Sequence, residues 1–130
     1  MKYFFLIVIL VYGYYATGQT QWELNISAEK KSLQARKELN SVYNAILRIH
    51  KTDTLFIKNL KIAQRLWMKL RDAEMLVRYP DREEGYYGSA HRTCLALYDE
   101  ELTRERIKKL KNWFGELENG DGCSMIDHAN

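Results

Sequence analysis

The chain has 130 residues, a formal net charge of +3 and 28% charged residues. That length fits one domain with a modest core, so folding requires neither a metal nor a disulfide. Basic and acidic residues are interspersed along the whole chain, which argues against a nucleic-acid footprint and a polybasic membrane patch.

Residues 1–18 read as a signal peptide. Lys2 is the single charge before Glu23, and Phe4 to Val11 is an unbroken apolar run. Ala16-Thr17-Gly18 then places small residues where a signal peptidase cuts. The run is shorter than the roughly 20 apolar residues that span a bilayer, and it ends in Gly, Thr and Gln, so cleavage is favoured over anchoring. No Cys follows it, so no lipid-modified N-terminal cysteine is available. Cleavage predicts a periplasmic or secreted protein with no stable membrane insertion. It also removes Lys2 and four of the nine tyrosines.

The remainder reads as a domain over 19–122 followed by a flexible tail over 123–130. Neither Gly nor Pro occurs from Gln19 to Tyr79, which favours long helices. Leu33, Leu39, Val42, Tyr43, Ile46, Leu47 and Ile49 recur at helical steps, with Arg36 on the same track. The start of this helix is open between Ser27 as cap and a point nearer Gln21. Its end falls near Lys51, where Thr52-Asp53-Thr54 supplies turn and cap chemistry. A second face, Phe56, Leu60, Ala63, Trp67 and Leu70, continues through Glu74 and Val77 to Tyr79-Pro80, where the residue before proline leaves the α region.

Asp81 to Gly88 (DREEGYYG) reads as a polar loop, with Ser89 as the cap of a third helix. Ala90, Cys94, Leu97 or Tyr98, Leu102, Ile107, Leu110, Trp113, Phe114 and Leu117 form the third pattern. It fits either one helix or a helix kinked near 99–103, with Thr103 restarting it. Asn119 to Gly122 closes the domain. The fold class expected is therefore all-α, an antiparallel three-helix bundle, with its stability resting on packing around Tyr43, Trp67 and Trp113.

No catalytic constellation is legible. His50, His91 and His128 lack metal-ligand spacing, and neither a nucleophile elbow nor a phosphate loop is present. His91 precedes Cys94 by three residues, but no catalytic dyad is expected there. No metal, cofactor or enzymatic activity is expected. The most informative stretch is Ala63 to Glu74 (AQRLWMKLRDAE), which lines up Gln64, Trp67, Arg71 and Glu74 on one side of a helix. Arg71 is expected to stack on Trp67 and to find an acceptor on another helix, such as Glu38 or the carbonyls near Thr103; Asp72 is expected to point elsewhere.

Five short pieces carry a resemblance in their order and spacing. They are Gln21, Glu23 and Asn25 (TQWELN); Glu38, Asn40, Val42 and Tyr43 (ELNSVY); Gln64 and Trp67 (AQRLW); Arg71-Asp72-Ala73-Glu74; and Cys94 followed by Thr103 and Arg106. Together they resemble the lysozyme-inhibitor LprI-like N-terminal domain family. The resemblance implies a helical, non-enzymatic, exported domain whose partner is lysozyme or another envelope protein. It implies structural roles for Glu38, Asn40, Tyr43, Gln64, Trp67, Arg71, Asp72, Thr103 and Arg106. It also implies cysteines where this chain has Ile26 and Met75, the latter position pairing with Cys94.

With Met75 in place, Cys94 loses that partner. A straight helix from 94 to 118 would separate its ends by about 36 Å. Five further residues reach back at most about 18 Å, whereas disulfide Cα atoms lie within about 7 Å. Cys94 is therefore expected to be an unpaired, mostly buried thiol, with no bridge to Cys123. Lysozymes are commonly basic, so recognition calls for local carboxylates. The candidate patches are Asp99, Glu100 and Glu101, or Asp81 to Glu84.

Overall fold

The computed structural model describes residues 19–115. They form α1 (Gln21–Ile49), α2 (Thr54–Arg78) and α3 (His91–Gly115), with no strand among the described residues. The all-α, up-down-up bundle expected from the apolar periodicity is the fold. The signal peptide, the closure at 119–122, Cys123 and the tail lie outside the described residues.

Each helix boundary has a local cause. Thr20 opens α1 with a reciprocal capping box. Its hydroxyl accepts from the Glu23 N–H at 3.2 Å, and its own N–H donates to the Glu23 carboxylate at 2.8 Å. The start is thus at Gln21 and not at Ser27. Asp53 caps α2 by accepting from the Phe56 N–H at 2.9 Å. The helix ends at Arg78, just before Tyr79-Pro80.

In the loop between α2 and α3, Gly85 and Gly88 take φ of +83° and +72°, a region that costs glycine nothing. The Tyr87 hydroxyl donates to the Pro80 carbonyl at 2.6 Å, and its ring stacks on His91 with centroids 4.2 Å apart. The Cys94 N–H donates to the Ala90 carbonyl. The chain therefore enters α3 through Ala90 rather than by a Ser89 cap. From His91 onward α3 is continuous to Gly115, so Thr103 does not restart it.

The close pair is α1 with α3. Small buried residues face each other there: Ala28, Ser32 and Ala35 on α1, Ala96 and Thr103 on α3. Helix separation follows the size of the side chains at the contact, so this pair approaches closely. The two helices run parallel, because their polar links climb together from Asn25–Thr93 through Ser32–Asp99 to Glu38–Lys111. Helix α2 stands further off and joins through longer side chains. Leu60 completes a core with Leu39, Ile46, Ile107 and Leu110, against which Tyr43, Phe56 and Trp67 pack.

The buried faces differ in part from the apolar tracks. Leu33, Ile49, Leu70 and Val77 are exposed, as is Trp113. On α1 the buried face is made by Asn25, Ala28, Ser32 and Ala35 together with Leu39 and Ile46. Apolar spacing alone cannot register that face, because small and polar residues suit a close helix pair better than leucine. No helix among the described residues is long and apolar enough to cross a membrane.

Candidate functional site

The interior contains a polar layer built around an acid that was expected at the surface. Asp99 of α3 is buried at 3% exposure. One carboxylate oxygen accepts from the Ser32 hydroxyl and from Arg36 Nε at 2.8 Å; the other accepts from Arg36 Nη2 at 2.6 Å. Ser32 and Arg36 are one helical turn apart on α1, so both reach the same acid. Arg71 of α2 stands 4.0 Å away at Nε, within ion-pair range. Burial pushes the Asp99 carboxyl up. The Arg36 and Ser32 hydrogen bonds and the charges of Arg36 and Arg71 outweigh it, holding the carboxyl below its ordinary value. A carboxylate so fully supplied with donors fixes the register of three helices and is a poor proton acceptor.

Above this layer lies an aromatic–arginine stack. Arg71 lies over Trp67 at 5.5 Å, and Arg106 contacts the rings of Trp67 and Trp113 at 5.8 and 5.3 Å. Arg106 Nε donates to Gln64 at 3.0 Å. Both Arg106 and Gln64 are buried, and burial pulls the Arg106 guanidinium below its usual value. Arg106 Nη2 and the Thr103 hydroxyl, which is 0% exposed, have no partner among the described residues.

The residues singled out from sequence thus divide. Gln64, Trp67, Arg71 and Arg106 converge at one interior layer, with Thr103 buried on the same helix as Arg106. Asp72 is exposed and, contrary to expectation, is Arg71's hydrogen-bond partner at 2.7 and 2.9 Å. Glu38 does not meet Arg71 either; it pairs with Lys111 at 2.7 Å and Arg104 at 3.5 Å. Tyr43 is half-buried against the core, and Asn40 is exposed away from the layer. Sequence reasoning missed Ser32 and Arg36 as partners of Asp99. The available signal was Arg36 on the same track as the apolar residues of α1, one helical turn from Ser32.

The expected Asp99–Glu100–Glu101 surface is corrected by burial. Asp99 is inside, and Glu100 is half-buried and bonded to Arg104 at 2.7 Å. Only Glu101 faces solvent freely. Cys94 is exposed rather than buried, and is a free thiol among the described residues.

The exposed carboxylates that share one feature are Asp81, Glu83 and Glu84. They lie on the loop between α2 and α3, over a cavity of about 350 Å³ that this loop forms with Tyr79, Tyr87, His91 and Leu95. Tyr79 packs edge-on against Tyr87, His91 and Tyr98, so the acidic loop rests on an aromatic floor. No group of three or more metal-ligating side chains is found among the described residues.

The family model described as "Lysozyme inhibitor LprI" matches residues 15–110. It therefore spans α1, α2, the acidic loop and most of α3. No curated protein and no solved structure matches the chain.

Proposed function

The chain belongs to the lysozyme inhibitor LprI family, and from that membership we propose that it is an exported, non-enzymatic binding domain that inhibits lysozyme. The family match carries the reading. The loop supports it, because three exposed carboxylates on a braced turn suit a basic partner, where opposite charge raises the encounter rate and selects orientation. Glu101 adds a fourth acid on α3, and its charge is felt by Arg78 at the end of α2. The interior layer serves this surface indirectly, by fixing the helices that carry the loop.

The test is a lysozyme lysis assay titrated with purified protein. The reading expects slowed lysis. It also expects Asp81→Lys/Glu83→Lys/Glu84→Lys to weaken inhibition at least tenfold, more at low salt than at high. Undiminished lysis at large molar excess would remove lysozyme as the target. The second reading is an envelope interaction module without lysozyme activity. It is favoured by one observation, the exposed apolar residues of α2.

A further inference from the structure

Helix α2 has three faces. One enters the core through Phe56, Leu60, Gln64, Trp67 and Arg71. A second carries Leu55, Ile62, Leu66, Leu70 and Val77, at steps of seven, four, four and seven. All five are solvent-exposed, with Val77 at 81%, Leu55 at 67% and Leu66 at 60%. The stripe runs for about 33 Å. Single exposed leucines need no explanation, but an aligned set marks an interaction surface.

The third face says what kind of surface. Lys58, Lys61, Arg65 and Lys69 flank the stripe on one side, and all are exposed. None makes an ion pair to a described residue. From Thr54 to Arg71 the helix contains no acid at all. The chain as a whole interleaves its charges, which argued against a basic membrane patch, but α2 up to Arg71 does not.

We propose that α2 lies in the plane of an anionic phospholipid surface, its apolar stripe in the acyl boundary and its four cations at the headgroups. An exposed apolar face bordered by Lys and Arg is the pattern of interfacial helices. The long basic side chains reach the phosphates while their stems cover apolar surface. A second copy of the chain is a poorer occupant. Antiparallel pairing of two stripes would set the four cations against the same four cations. Parallel pairing would set them against a flank that also lacks acids through Arg71. The proposal does not rest on lysozyme binding.

Protein purified from the exporting cell is co-sedimented with vesicles of phosphatidylcholine alone and of phosphatidylcholine mixed with phosphatidylglycerol. Binding is expected to the mixed vesicles, at least tenfold stronger than to the neutral ones, and to weaken with salt. Each cation contributes roughly fivefold. Lys58→Glu/Lys61→Glu/Arg65→Glu/Lys69→Glu should therefore abolish it, and Leu66→Glu should reduce it at least tenfold. Helix content and melting are checked for both variants, which alter exposed positions. Equal binding to both vesicle types, or binding that neither variant changes, overturns the proposal. So does a dimer in ultracentrifugation that Leu66→Glu dissolves, since that assigns the face to a second copy.

Discussion

Arg36 grips both carboxylate oxygens of Asp99, at 2.6 and 2.8 Å, from opposite sides of the solvent boundary: the arginine side chain is 51% exposed and the aspartate 5%. The two partners are therefore unequal. An unpaired Arg36 can turn to water, whereas an unpaired Asp99 remains buried.

That asymmetry sets the cost of breaking the pair from the arginine side. Arg36→Ala should destabilise the fold by about 2–3 kcal/mol, below the full cost of breaking a wholly buried pair, because solvent already screens the arginine. Arg36→Ala combined with Asp99→Asn should recover part of that loss. Urea unfolding of the two singles and the double closes the cycle. Strict additivity would show that the two residues do not act as a pair.

The same acid predicts a pH dependence. Its folded value lies below the ordinary 3.8. The unfolded chain therefore takes up this proton first as pH falls. The stabilisation is fully present above about pH 4 and is lost as pH drops through the folded value. Stability measured between neutral pH and pH 2 should fall less steeply at the acid end in Asp99→Asn than in the parent. Parallel curves would contradict the assignment.

Thr103 offers a gain. Its hydroxyl is fully buried and has no partner among the described residues. Thr103→Val keeps the shape and removes the unsatisfied group, so it should stabilise by about 1 kcal/mol. A lower denaturation midpoint for this variant would reveal a partner for the hydroxyl.

The loop brace is testable separately. Tyr87→Phe keeps the stack on His91 and deletes the bond to the Pro80 carbonyl. It should cost about 1 kcal/mol and speed amide exchange within 81–88, leaving α1 unaffected. Gly85→Ala should cost a similar amount, because its φ of +83° strains any residue with a Cβ. Exchange spread evenly over the chain would place the effect outside the loop.

The features legible in the amino-acid order were local. Helix spacing, the turn and cap chemistry of Thr52-Asp53-Thr54 and Tyr79-Pro80 as a stop depend on neighbours a few residues away, and α2 matches its expected bounds almost to the residue. Family membership was legible too, because it rests on the order of short motifs. Tertiary structure decided which faces are buried. Leu70 and Val77 lie on a regular apolar track yet stay in solvent, since α2 stands back from the tight α1–α3 pair. Asp99 reads as a surface acid among Glu100 and Glu101, yet it turns inward because Ser32 and Arg36 wait on a helix more than sixty residues away. A single helix cannot announce such a partner: burying a charge is unfavourable until another element supplies the donors, and those donors become visible only when the helices are side by side.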